Sequence, residues 1–136
     1  MKPLVTAALA AALVLAACGG DDKNQSDEQR AEQTVRDFVE ATNERSPRLC
    51  DELVTLRFLE RTAGGKGDEA RRACKEQLRA VRSLKLEIRK LDVQKAEGGN
   101  ATVLVELETN GVRQPPQTLS LVDEGGRFRL NAGRRE

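Results

Sequence analysis

The sequence of 136 residues contains no histidine, no tryptophan and no tyrosine, and it has only three phenylalanines. Without histidine, the Ser/His and Cys/His pairs of many nucleophilic enzymes cannot form. General acid–base catalysis also loses the side chain that most often performs it. These absences exclude the familiar triad hydrolases and leave carboxylates as the main candidates for any proton transfer.

The sequence also lacks an apolar run long enough to cross a membrane. The longest run, LVTAALAAALVLAA at residues 4–17, would span about 21 Å as a helix, against a hydrocarbon core of about 30 Å. Lys2 precedes the run, small residues end it, and the polar stretch GGDDKNQSD follows. This combination predicts export, with residues 1–17 as a cleaved signal peptide. The alternative, a buried N-terminal helix, fits poorly because the run is apolar on every side.

The end of this run, Leu15-Ala16-Ala17-Cys18, resembles the lipobox of bacterial lipoproteins, in which an aliphatic and two small residues precede a cysteine. The resemblance implies cleavage before Cys18 and a diacylglycerol on its sulfur. Two acyl chains anchor firmly, since each buried CH₂ contributes about 0.8 kcal/mol. We therefore expect a protein on the extracytoplasmic face of a cell membrane, with residues 18–27 as a lipidated tether and 28–136 as the domain. A secreted protein with unmodified Cys18 is the alternative.

Neither sign of charge is in excess. The full sequence has 23 basic and 22 acidic side chains, and loss of Lys2 with the signal peptide leaves 22 of each. A neutral domain lacks the strong positive field that nucleic-acid binding needs. No nucleic-acid partner is therefore expected.

Cysteine is scarce, with Cys18, Cys50 and Cys74 the only three in the chain. If Cys18 carries lipid, Cys50 and Cys74 are expected to form a disulfide, because export places them in an oxidising compartment. A zinc site is the alternative, but it needs three or four ligands, which two cysteines without histidine hardly provide. We predict no metal and no other cofactor.

The first half of the domain has the apolar period of helices. Ser26-x-x-Gln29 has the form of a capping box and predicts the start of a first helix. A second, short helix is expected to open at Ser46-Pro47, with Ser46 as its cap and Pro47 in its first turn, and an extension through Leu59 is left open. Asp68 is expected to cap a third helix after a glycine-rich loop.

Beyond residue 83 the apolar period changes to two, which is typical of strands. The parity changes near Arg89-Lys90, and this predicts a β-bulge. Glycine-rich segments and Asn110-Gly111 predict turns between antiparallel strands, while Pro115-Pro116 predicts an edge or a loop. Helices followed by an antiparallel meander indicate a single α+β domain, with N-terminal helices packed on a curved sheet. The predicted inward rows are Leu84, Leu86, Ile88, Leu91, Val93, Ala101, Val103, Val105, Leu107, Leu119, Leu121, Phe128 and Leu130.

In element order, element size and the bulge, residues 28–132 resemble the nuclear-transport-factor-2-like superfamily, a cone of helices wrapped by a curved sheet. A cystatin-like or another helix-on-sheet domain is the alternative. The resemblance implies that an enzyme of this type would carry carboxylate, histidine or tyrosine side chains on the concave face. The predicted inward rows offer no such group. We expect a non-enzymatic binding or structural module of the cell envelope; a small isomerase- or hydrolase-like enzyme of the same superfamily is the alternative.

Two surfaces are candidates for binding an unknown protein or ligand. The aliphatic interior of the cone could admit an apolar ligand, unless side chains fill it. The outer side of the third predicted helix could contact an anionic lipid surface or wall polymer, unless it is an ordinary ion-paired face. The outer face of the sheet carries both signs of charge, which favours a monomer. The basic residues on the helix are Arg71, Arg72, Lys75, Arg79 and Arg82.

Overall fold

The computed structural model describes residues 25–135, which form helices followed by strands, in the predicted order. The expected signal peptide, Cys18 and the tether up to residue 24 lie outside the described residues. The helices are α1 (Asp27–Glu44), α2 (Arg48–Asp51), α3 (Leu56–Thr62) and α4 (Asp68–Ala80). The strands are β1 (Leu86–Glu97), β2 (Asn100–Thr109), β3 (Val112–Arg113), β4 (Gln117–Glu124) and β5 (Arg127–Arg135).

Helix α1 begins with the predicted capping box. The Gln29 backbone N–H donates to Ser26 Oγ at 3.1 Å, and the Ser26 N–H donates to Gln29 Oε1 at 3.0 Å. Ser26 and Asp27, which the sequence assigned to the tether, form the cap and the first turn of this helix. The helix buries Ala31, Val35 and other residues of one stripe against the sheet.

The helical segment after α1 is divided in two, α2 and α3. Residues between them pair with β5: the Leu130 N–H donates to Leu53 O at 2.8 Å, and the Thr55 N–H donates to Leu130 O at 2.9 Å. Backbone groups used in this pairing cannot continue a helix. Helix α3 then starts afresh, with Thr55 Oγ1 accepting from the Phe58 N–H at 3.1 Å.

The predicted caps of the next two helices are wrong. Pro47 occupies the N-cap position of α2, and Ser46 instead accepts from the Arg48 N–H at 3.3 Å. Gly67, with φ of 56°, occupies the N-cap position of α4, so Asp68 lies in the first turn. The left-handed φ favours glycine there, and the acidic residue still faces the positive end of the helix dipole.

The strands form an antiparallel sheet in the order β1-β2-β4-β5, with β3 paired to the end of β2. The register of β1 against β2 shifts between Ile88 and Lys90, which confirms the predicted bulge. The two-residue turn Gly125-Gly126 has both φ values positive, as the tight hairpin between β4 and β5 requires. Asp123 N donates to Gly99 O at 2.8 Å, so this turn and the β1–β2 turn lie at the same end of the sheet.

The core lies between α1 and the inward face of the sheet. Val103, Val105, Leu121 and Phe128 are at most 1% exposed, and all four stand at predicted inward positions. Burial of a side chain of this size contributes about 1.5–3 kcal/mol. The alternation in the sequence therefore identified the face of the sheet that the helices cover.

A disulfide joins Cys50 of α2 to Cys74 of α4, with 6.0 Å between the two Cα atoms. Helix α4 packs mainly on α2 and α3, with Ala70 and Leu78 buried. The predicted cysteine pair thus fastens the outermost helix to the part of the chain that reaches the sheet.

Candidate functional site

An apolar cavity of about 170 Å³ lies between α1, α3 and the inward face of the sheet. None of the ten described residues around it carries a charge, and nine of them are apolar or glycine. The lining consists of Val35, Phe38, Val39, Phe58, Val105, Leu107, Gln117, Leu119, Leu130 and Gly133. The interior of the cone is therefore not completely filled by side chains.

Three elements build the cavity wall. Helix α1 contributes residues spaced three and four apart, Val35, Phe38 and Val39, which lie on one face of a helix. The sheet contributes residues from the second half of β2, the start of β4 and the middle of β5. Helix α3 closes the cavity with Phe58. The start of α3 is held against β5, because Thr55 Oγ1 at its N-cap donates to Asn131 Oδ1 at 2.8 Å.

Gln117 is the one polar side chain among the described lining residues. It is the first residue of β4, it pairs with Val105 of β2, and it shares the inward parity of Leu119. The sequence interpretation missed Gln117, because Pro115-Pro116 obscured the start of the strand. The parity of position 117 with 119 and 121 was the signal that could have found it. Gly133 was missed as well, since it belongs to no predicted inward row, whereas Phe58 lies on the inner face over which an extension of the second helix was left open.

A second, polar cleft of about 190 Å³ lies along the first half of α1, from Arg30 to Asp37. The Arg30 guanidinium donates to Asp123 Oδ2 and to Gly126 O, each at 2.8 Å, and sits 4.8 Å from the centroid of the Phe128 ring. The hydrogen bond from Arg30 lowers the pKa of Asp123, and the same bond raises the pKa of Arg30. The arginine thus joins the start of α1 to the β4–β5 turn.

The other charges at this cleft also pair with one another. Arg48 donates to Glu52 at 2.7 Å and lies 3.6 Å from Asp37, while Arg127 lies 3.6 Å from Glu52. Groups that neutralise each other have little tendency to recruit a charged ligand. The apolar cavity, whose wall offers an open apolar surface instead, is therefore the candidate functional site.

The five basic residues of α4 and its C-terminal flank are not gathered into one free patch. Arg71 lies 3.6 Å from Asp68, and Lys75 lies 3.0 Å from Asp51. Arg72, Arg79 and Arg82 are exposed, and none has an ion-pair partner within 4.0 Å among residues 25–135. The outward cationic surface of α4 thus consists of these last three residues.

Metal-binding clusters and membrane-spanning helices are both missing from the part of the chain that the structure describes. It contains no group of three or more Cys, Asp or Glu side chains arranged to hold a metal ion. None of its helices is both long and apolar enough to cross a membrane.

No family model matches the sequence, and no curated protein is significantly similar to it. Eighteen chains of solved structures are significantly similar to it, and three of them illustrate the shared fold. An uncharacterised protein with a cystatin-like fold from Caulobacter vibrioides has a TM-score of 0.57 and 17% identity, over 79% of this chain and 86% of its own. TsrD from Streptomyces laurentii has a TM-score of 0.52 and 21% identity, over 82% and 90% of the two chains.

The third structure is a putative scytalone dehydratase from Novosphingobium aromaticivorans, with a TM-score of 0.51 and 14% identity, over 79% of this chain and 83% of its own. Identities this low establish the fold alone. The chain therefore has the cystatin-like, nuclear-transport-factor-2-like cone fold, in which N-terminal helices pack on a curved antiparallel sheet.

Proposed function

We propose that this protein is a lipoprotein of the extracytoplasmic membrane face whose cone domain binds a small apolar molecule without reacting with it. The carrying observation is the apolar cavity of about 170 Å³ inside the cone. A wall of aliphatic and phenyl groups favours apolar ligands through the hydrophobic effect. The lipobox-like Leu15-Ala16-Ala17-Cys18 supports the anchoring part of the proposal.

Catalysis is the competing function, and a putative scytalone dehydratase is among the structures that share the fold. Acid–base catalysis requires a group of suitable pKa within hydrogen-bond reach of the substrate. None of the ten described residues around the cavity can exchange a proton near neutral pH. The carboxylates of Asp37 and Glu52 pair with arginines outside this cavity. The lining therefore favours binding over catalysis.

The anchoring part is tested by intact-mass analysis of the membrane fraction. We expect a chain that begins at Cys18, carries a diacylglyceryl group, and is two hydrogens lighter because Cys50 and Cys74 are joined. A Cys18→Ala variant is the matched control, and it should keep Met1 and gain no lipid. Full-length, unmodified wild-type protein in the soluble fraction would contradict the proposal.

The binding part is tested by native mass spectrometry of the protein purified from its own membranes. We expect a bound small molecule on the wild type. Leu107 is half-buried at the cavity wall, so Leu107→Trp should fill the cavity and remove the adduct. An adduct of equal intensity on both proteins, or none on the wild type, would count against the cone as a binding site.

A further inference from the structure

The Gln117 side chain is the only described group in the cavity wall that can form a hydrogen bond through a side chain. Its amide has two N–H donors and one carbonyl acceptor, and it bonds to no side chain or backbone group among residues 25–135. A polar group covered by an apolar ligand without a partner would lose its hydrogen bonds to water at a cost. A ligand that fills this cavity is therefore favoured if it brings a hydrogen-bonding group to Gln117.

The volume of the cavity limits the size of that ligand. Pockets for drug-sized molecules measure about 300–1,000 Å³, whereas this one measures about 170 Å³. The occupant is therefore expected to be a compact molecule, well below drug size.

The lining also limits the charge of the ligand. A carboxylate or ammonium moved into an apolar pocket without a counter-ion loses its hydration and gains no compensating ion pair. No charged residue stands among the ten that line this cavity. A neutral polar group avoids that cost, and the Gln117 amide can both donate to it and accept from it.

We infer that the cone takes a neutral, compact, largely apolar molecule with a single hydrogen-bonding group, the size of a monocyclic phenol or a short-chain alcohol. Gln117 is the residue that selects for the polar group. The inference rests on the proposed binding function of the same cavity and adds the chemical class of the ligand.

The test compares three probes of similar size on ¹⁵N-labelled residues 18–136 carrying Cys18→Ala, the expected mature chain without its signal peptide and lipid. The probes are p-cresol, p-xylene and benzoate, which differ in bearing a hydroxyl, a methyl or a carboxylate group. NMR titration gives the Kd of each. We expect p-cresol and p-xylene to bind and benzoate to bind far more weakly. The Gln117 side-chain amide signals should move with p-cresol and stay in place with p-xylene.

A Gln117→Met variant keeps the length of the side chain and removes the amide. The ratio of the p-xylene Kd to the p-cresol Kd should fall by about three- to ten-fold, which corresponds to the net contribution of one hydrogen bond. Ser120→Ala, at an exposed position of the same strand, is the control and should leave the ratio unchanged.

Failures of the two proposals are distinguishable. If neither neutral probe binds the wild type, the proposed function itself is wrong. If both bind but the ratio stays the same in Gln117→Met, or benzoate binds as well as p-cresol, only the inferred ligand class is overturned. If the variant does not fold, the amide signals of the wild type still test the inference, and signals that stay in place with p-cresol would overturn it.

Discussion

Arg30 shows how much a single side chain can join in this fold. Its guanidinium reaches Asp123 and the Gly126 carbonyl, which lie more than ninety positions further along the chain, and it stacks on the buried Phe128. Its side chain is 18% exposed and that of Asp123 is 25% exposed. This partial shielding makes the pair stronger than an ordinary surface ion pair.

The Arg30–Asp123 pair predicts an acid-dependent loss of stability. Because the pKa of Asp123 is lowered in the folded state, the pair's contribution is complete above the ordinary aspartate pKa of about 3.9 and is lost as pH falls through the lowered folded-state value. Asp123→Asn should cost about 1 kcal/mol of unfolding free energy at pH 7. The difference from wild type should shrink near pH 2. Urea unfolding at both pH values measures it.

Asp92, an exposed residue of β1, provides the matched control. Asp92→Asn should change the unfolding free energy little at either pH. A cost of Asp123→Asn that is the same at pH 7 and at pH 2 would show that the ion pair is not its source.

Individual contacts differ in whether the sequence alone predicts them. The capping box of Ser26 and Gln29 was predictable because its partners lie three positions apart. The partners of Arg30 were not, since a hydrogen bond across more than ninety positions depends on the completed fold. Gln117 shares the parity of the predicted inward residues 119 and 121, but Pro115-Pro116 hid that β4 begins at this position.

Among the elements, α4 packs on helices and has no extensive contact of its own with the sheet. Its neighbours are α2 and α3, and the Cys50–Cys74 disulfide closes the loop that leads into it and ends at its middle. Its start was mispredicted by one position, because the left-handed backbone at Gly67 is invisible to an apolar pattern. The division between α2 and α3 was also unpredictable locally, since it arises from the pairing of residues 53–55 with β5.

Removal of the disulfide should loosen α4 more than the sheet. The loop it closes spans 24 positions, for which the chain-entropy model gives about 3.5 kcal/mol. Cys50→Ala with Cys74→Ala should therefore lower the unfolding free energy by about that amount. Amides of β2 and β4 should then exchange faster through global unfolding, and amides of residues 68–80 should exchange faster still through local opening of α4. Exchange over residues 68–80 that is no faster than in β2 and β4 would contradict this picture of α4 as a separately fastened element.

The outward cationic surface of α4 gives a second prediction at this scale. A Lys or Arg near an anionic membrane contributes about 1 kcal/mol to binding. Replacement of Arg72, Arg79 and Arg82 by glutamate, in residues 18–136 with Cys18→Ala and without the signal peptide, should abolish sedimentation with vesicles rich in anionic lipid. Replacement of three lysines in and beside β1 by glutamate makes the same charge change and is the control. Equal loss in both triple variants would mean that net charge, and not α4, mediates the contact. The three control positions are Lys85, Lys90 and Lys95.

For the whole molecule, the surface features favour a single copy. The free edge of β1 has two register shifts and carries Lys90 and Lys95, which discourage pairing with another strand. Arg89 forms a 2.7 Å ion pair with Glu108 across the outer face of the sheet. Val112 is the one large apolar side chain that stands exposed among the described residues. These features leave no broad apolar face for a partner copy.

We therefore predict a monomer in solution. Sedimentation equilibrium of residues 18–136 with Cys18→Ala, made without the signal peptide, should give the mass of one copy, independent of protein concentration. A mass that rises with concentration would show a dimer and overturn the prediction. The dimer dissociation constant of Arg89→Ala should then be measured, and weaker dimerisation of this variant would place the contact on the outer face of the sheet.

The position of the cavity along α1 separates attachment from binding. The chain enters the domain at Ser26, beside the turns at residues 98–99 and 125–126, whereas Val35, Phe38 and Val39 line the cavity near the middle of the helix. These three residues lie nine to thirteen positions beyond Ser26, which is about 14–20 Å along a helix. If Cys18 holds the protein on a bilayer, anchoring and binding therefore use different parts of the chain, and a change in one need not alter the other.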